Sequence, residues 1–148
     1  MLRKATMPQP VHILKLCVGA NSVQDLLDWQ DSQRAHYPPG RTLHITRMWP
    51  KRVAEVLQGS LYWVFKGQIL ARQKILALEP VTGADGISRC AIHLDAGVIR
   101  TAPAPRRPFQ GWRYLASDEA PRDLPQARVT DDALPPDLAA ALADIGLR

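Results

Sequence analysis

The 148 residues carry 46% apolar side chains, a net charge of +5 and two cysteines. That length suits one ordinary domain with its own core, and the apolar share excludes wholesale disorder. No window approaches the roughly 18 apolar residues needed to span a bilayer. Cys17 and Cys90 both lie in apolar, strand-like contexts and read as buried free thiols of a cytoplasmic protein.

The charge is unevenly spread. Residues 41–114 hold twelve Lys/Arg against four Asp/Glu, whereas residues 115–148 hold three against seven. A basic centre beside an acidic end points to a polyanionic partner, although a solvated surface of uneven charge has the same composition.

In chain order, residues 1–10 read as a flexible leader that lacks the apolar core of a signal peptide. Val11–Val18 is a continuous apolar run suited to a buried strand. Ser22 is a good N-cap with Asp25 three residues on, and Val23, Leu26 and Leu27 give a helix ending near Arg34 an apolar stripe. A loop over His36–Gly40 precedes a second strand, Leu43–Arg47. Pro50 suits the first position of a short helix carrying Val53, Val56 and Leu57, and Gly59 is placed to end it in the left-handed conformation. Leu61–Lys66 alternates, with Leu61, Trp63 and Phe65 on one side and Tyr62, Val64 and Lys66 on the other.

Gln68–Glu79 reads as a strand with Ile69, Ala71, Gln73, Ile75 and Ala77 on one side. Gly83–Gly86 is a hairpin connection, followed by strands at Arg89–Asp95 and Val98–Thr101. The proline-rich stretch 102–108 cannot be a central strand, and Phe109–Leu115 is the last strand predicted. The sequence thus reads as a single α+β domain over 11–117, a small mixed or antiparallel barrel-like curved sheet with two or three short helices. Residues 118–148 read as an acidic, Pro-rich tail with a short helix near 136–145.

Four segments carry a family resemblance: 12–20, 46–52, 61–67 and 106–115. Through them the chain resembles an uncharacterised bacterial family known mainly from alphaproteobacteria, which has no assigned activity. Thr46–Gly59, with Trp49-Pro50 leading into Val56-Leu57-Gln58-Gly59, is also similar to the PUA-like superfamily, particularly its ASCH branch. That resemblance implies a small β-barrel that binds RNA or modified nucleotides. The ASCH signature Gly-x-Lys-x-x-Glu-x-Arg is absent, since Ser60, Leu61, Tyr62 and Trp63 follow Gly59.

The chemistry-bearing residues favour binding over catalysis. His12, His36, His44 and His93 lack metal-ligand spacing, and no phosphate loop or nucleophile elbow is present, so neither a metal nor another cofactor is expected. Only Glu55, Glu79, Asp85 and Asp95 are available as carboxylates in the basic centre. By contrast Arg47, Lys51, Arg52, Lys66, Arg72, Arg106, Arg107 and Arg113 could contact phosphates. Trp49 and Trp112, with Trp63, could stack an unpaired base for about 1–3 kcal/mol each, although Trp63 and Trp112 equally suit a core.

The leading expectation is an RNA-binding, PUA-like domain with these cations lining one groove. The alternative is an enzyme or sensor for an anionic small molecule such as a nucleotide. In that case Arg47, Lys66, Gln73 and Arg113 would share a pocket with Tyr62 or His44 as proton donor. A protein–protein adaptor is the third expectation; nothing in the sequence fixes the oligomeric state.

Overall fold

The computed structural model describes residues 10–107 and 109–125. The chain runs β1 (Val11–Leu16), α1 (Val23–Ser32), β2 (Arg41–Thr46), α2 (Val53–Val56), β3 (Ser60–Phe65), β4 (Gln68–Thr82), β5 (Ser88–Asp95), β6 (Ile99–Pro105) and β7 (Trp112–Ala116). Single 3-10 turns lie at Arg34–His36 and Ser117–Glu119. The seven strands form one sheet in the order β2-β5-β4-β3-β1-β7, with β6 leaving that path to pair with β4. The protein is therefore mostly β, an open curved sheet with two helices. No ladder joins β2 to β7 among the described residues, and no helix among them is long and apolar enough to cross a membrane. The expected helix near 136–145 and almost all of the leader lie outside the described residues.

Only β1 and β3 pair in parallel, because the chain between them contains α1, β2 and α2. β4 is long enough to serve two sets of neighbours: its first half lies between β3 and β6, and Ile75–Thr82 pairs with β5. Register shifts at Trp63/Val64, Ile69/Ala71 and Ile75/Ala77 interrupt these ladders, and such bulges bend a sheet. β3 and β4 are joined by Lys66 and Gly67, both at positive φ (47° and 84°), as the tightest hairpin turns require.

The register sorts side chains onto two faces. Lys15 sits opposite both Trp63 and Trp112, and Ile13 opposite both Leu61 and Tyr114. These share a face with Ala71, Gln73 and Ile75, and α1 and α2 cover it by inserting Val23, Leu26 and Val56. We call this the helix face. On the far face Leu14, Tyr62, Val64, Ile69 and Leu115 form a smaller cluster, against which Phe109 and Ala120 pack.

Local chemistry explains the elements. Ser22 caps α1, its Oγ accepting the Asp25 amide at 3.2 Å, while Asp25 Oδ2 accepts the Asn21 amide at 2.9 Å. This reciprocal pair satisfies two otherwise orphaned donors. β4 continues through Pro80 to Thr82 and β6 through Pro103 to Pro105, beyond the expected strand ends. Both stretches tolerate proline because each has a full ladder on one side only.

Two expectations around α2 are corrected. Pro50 is a buried loop residue and the helix begins three residues later, after an Arg52 N-cap. The reason is Tyr114: its hydroxyl accepts the amides of Lys51 at 2.7 Å and Arg52 at 3.1 Å, which holds these residues in a loop. Gly59 is not among the positive-φ glycines. It is small because a Cβ there would overlap the Val11 carbonyl oxygen and sit 2.9 Å from His12 Nδ1.

Candidate functional site

The cations singled out in the sequence divide between the two faces. Arg47, Lys51 and Arg52 belong to the loop between β2 and α2, which leans on the helix face of β7. There Trp112 Nε1 donates to the Met48 carbonyl at 2.9 Å and the Arg52 guanidinium lies 5.6 Å from the Tyr114 ring centre. Arg52 is also forked onto Glu55, at 2.9 and 2.6 Å. Trp49 packs half-buried against the core and Trp112 is 5% exposed with its N–H used. Trp63, 6% exposed, donates to Gln73 Oε1. Trp63 and Trp112 thus fill the core, and neither offers an open ring face to a base.

Arg72 and Arg113 point from the far face, on strands where Tyr62 pairs with Arg72 and Leu14 with Arg113. Arg113 lies 5.7 Å from the Phe109 ring centre and donates to the Gln110 and Trp112 carbonyls. Lys66 is exposed in the β3–β4 turn. Beside it Arg106 donates to the Pro105 and Glu119 carbonyls, and Arg107 is exposed one residue on. The eight cations therefore do not line one groove.

The far face instead gathers a cleft of about 360 Å³ around His12, Ser60, Tyr62, Arg72, Arg122 and Asp123. The strands place its floor: β1 supplies His12, β3 supplies Ser60 and Tyr62, and β4 supplies Arg72. Asp123 comes from residues read in the sequence as the start of the tail. They bond to β6, through Ala102 N–H to Arg122 O at 2.8 Å and Leu124 N–H to Arg100 O at 2.9 Å. Arg72 is forked onto Asp123, with Nε to Oδ1 at 2.8 Å and Nη2 to Oδ2 at 2.7 Å, and its Nη1 donates to Ser60 Oγ at 2.8 Å.

Hydrogen bonding fixes the chemistry of His12. Its Nδ1 accepts the Ser60 amide at 2.9 Å, so the neutral ring carries its proton on Nε2. Burial, and then the charge of Arg72, holds its pKa below the ordinary histidine value. The ring stands edge-on to Tyr62, with centres 4.9 Å apart. Burial raises the Tyr62 hydroxyl, which therefore keeps its proton. The Asp123 carboxyl is pulled down by its hydrogen bond to Arg72. Among the described residues, Asp123 is the single carboxylate lining the cleft, beside the cations Arg72 and Arg122. Sequence reading found Arg72 and weighed Tyr62 but missed Asp123, because no spacing links a tail carboxylate to a strand 51 residues earlier.

The helix face holds polar groups of another kind. Gln73 is fully buried and fully used: Oε1 accepts from Trp63 Nε1 and Gln30 Nε2, and Nε2 donates to Gln30 Oε1 and the Asp95 carbonyl. It is thus a structural clamp between α1 and the sheet, far from converging with Arg113 on the opposite face. Thr42 Oγ1 and His44 Nε2 are buried with no partner among the described residues. A cavity of about 290 Å³ lies beside α1, lined by Cys17, Asp25 and Trp29 among others. Burial pushes the Cys17 and Cys90 thiols up to about 11, so both are protonated at neutral pH and poor nucleophiles. No group of three or more His, Cys, Asp or Glu among the described residues could hold a metal ion.

Fold and cleft together define a mostly β protein, one curved sheet with helices on one face and a donor-lined cleft on the other. A protein-family model described as "Protein of unknown function (DUF1489)" matches residues 13–148, and the chain belongs to that family. No curated protein and no solved structure matches significantly.

Proposed function

We propose that the protein binds RNA, as a PUA-like domain would, and that the far face rather than the loop beside α2 takes the phosphates. The observation that carries this reading is the cleft, where Arg72 stands among other groups able to donate and cations outnumber carboxylates. Arg122 lines it, and Lys74, opposite Ser60 in the β3–β4 register, stands on the same face. Neither makes a salt bridge among the described residues. Arg113 and Arg106 extend the positive surface beyond the cleft. Catalysis has no comparable support, since the cleft has one carboxylate and that one is tied to Arg72.

A nucleotide-sized ligand is the second reading. The volume of the cleft falls within the range of about 300–1,000 Å³ usual for small-molecule sites.

Fluorescence anisotropy with a labelled single-stranded RNA separates the two. Each phosphate contact to a single strand contributes a slope of about −0.7 in log affinity against log salt. Lys74→Ala with Arg122→Ala is expected to weaken binding and flatten the slope by about 1.4 if both touch phosphates. Affinity that rises with oligonucleotide length supports RNA, whereas a mononucleotide binding as tightly as a long strand favours the small ligand. Unchanged affinity and slope in the double variant would reject the far face.

A further inference from the structure

We infer that the Asp123 carboxylate occupies the place of a ligand phosphate on Arg72, so that the cleft is a phosphomonoester site held closed by the chain itself. This rests on reading the far-face cleft as the phosphate-binding surface and adds the group it selects and the means by which it is kept shut.

The geometry of the fork carries the argument. Two carboxylate oxygens receive parallel N–H bonds from Arg72 Nε and Nη2, at 2.8 and 2.7 Å. Two oxygens of a phosphate fit the same fork. The guanidinium is held from behind, because Nη1 is bonded to Ser60 Oγ. It would therefore keep its position if the carboxylate left. The remaining groups of the cleft suit an oxyanion. His12 Nε2–H, the Tyr62 hydroxyl and Arg122 are each able to donate, and with Asp123 withdrawn no carboxylate among the described lining residues would remain to receive a cation.

Asp123 is also placed to leave. Its side chain is 41% exposed against 22% for Arg72, so the carboxylate rather than the guanidinium can turn to water. Residues 122–124 are held to β6 by the two backbone bonds that form the Thr101–Asp123 bridge, so a side-chain rotation would open the site without unfolding the segment. A partly exposed ion pair has a small net strength, so a ligand can compete with it.

That competition sets the ligand class. A phosphodiester carries one negative charge, like Asp123, and has no electrostatic advantage over a carboxylate already tethered in place. A phosphomonoester carries close to two at neutral pH and does. The cleft should therefore prefer a terminal phosphate, on an RNA end or on a free nucleotide, to internal phosphates.

Calorimetric titration of the full chain tests this with three probes: a 5′-phosphorylated single-stranded RNA, the same RNA without the phosphate, and a nucleoside monophosphate. The wild type should prefer the phosphorylated strand. Asp123→Asn, which keeps the side chain's shape, should raise affinity for both phosphomonoesters about tenfold, equivalent to about 1.4 kcal/mol, and leave the unphosphorylated strand nearly unchanged. Arg72→Gln should abolish the preference. Measurable and equal binding of the two strands by wild type, or no gain for any phosphomonoester in Asp123→Asn, overturns the inference. If Lys74→Ala with Arg122→Ala still weakens RNA binding in that case, the RNA reading stands alone. If only the monophosphate binds, and does so better in Asp123→Asn, the monoester site stands and the RNA reading falls.

Discussion

His44 shows how one buried side chain can make stability depend on pH. Its ring stands edge-on to Trp63, with centres 5.4 Å apart, and Nε2 finds no partner among the described residues. Burial first, and the nearby Lys15 charge second, push its pKa down to about 4 from the ordinary 6.5. The unfolded chain therefore takes up a proton before the folded one does. Stability contributed by the neutral ring is complete above pH 6.5 and falls as pH drops towards 4. A shift of this size corresponds to about 3 kcal/mol. Asp85 and Asp123, both held below the ordinary carboxylate value by arginine partners, lose their contributions at lower pH still. We expect urea midpoints of the wild type to fall between pH 7 and 4.5 and those of His44→Phe to fall less, the remainder coming from His12, which burial also holds below the ordinary value. Parallel pH profiles for the two proteins would show that folding does not lower the pKa of His44.

At the scale of elements, the join between α2 and β3 links folding to the cleft. Gly59 brings its backbone against β1, donating its amide to the Val56 carbonyl while its own carbonyl accepts the Ile75 amide at 3.1 Å. A Cβ at this position would overlap a backbone oxygen, which cannot swing aside as a flexible side chain could. Gly59→Ala should therefore cost stability on the scale of about 1–3 kcal/mol typical of overpacking. It should also displace His12, whose Nδ1 lies in the path. Thermal melting checks the first effect, and loss of the Ser60 amide's protection from hydrogen exchange checks the second. Most elements were legible in the sequence, because alternation in β3 and β5 and the Ser22–Asp25 cap are local signals. The start of α2 was not, since it depends on the hydroxyl of Tyr114, 62 residues away from Arg52 in the chain. Gly59 was read as a helix stop for the same reason: its closest neighbour, Val11, is remote in sequence.

The same distinction governs the site at the scale of the whole molecule. The basic centre was legible as composition, but composition does not tell which face a cation occupies. Alternation along β4 places Arg72 opposite Gln73, and only the β3–β4 register brings Arg72 beside Tyr62 and Ser60. With no β2–β7 ladder among the described residues, the two edges of the sheet are instead bridged by the loop after β2. Its anchors are Trp112 Nε1 on the Met48 carbonyl and the Tyr114 hydroxyl on two successive amides. Arg47, Lys51 and Arg52 are thus fixed in a bridge that ties β2 to β7, a structural duty separate from the far-face cleft. Tyr114→Phe removes one oxygen and leaves the ring for Arg52 to cover. Both amides then turn to water or lose their partner, at a cost of about 1 kcal/mol for a lost neutral hydrogen bond. Local opening should rise more than global unfolding, because the core cluster contains Trp112 but not Tyr114. Trypsin should therefore cut after Arg47, Lys51 or Arg52 several-fold faster in Tyr114→Phe than in the wild type, with the melting temperature little changed. Equal cleavage rates would mean that the hydroxyl does not hold the bridge, leaving the Trp112–Met48 bond as its remaining anchor.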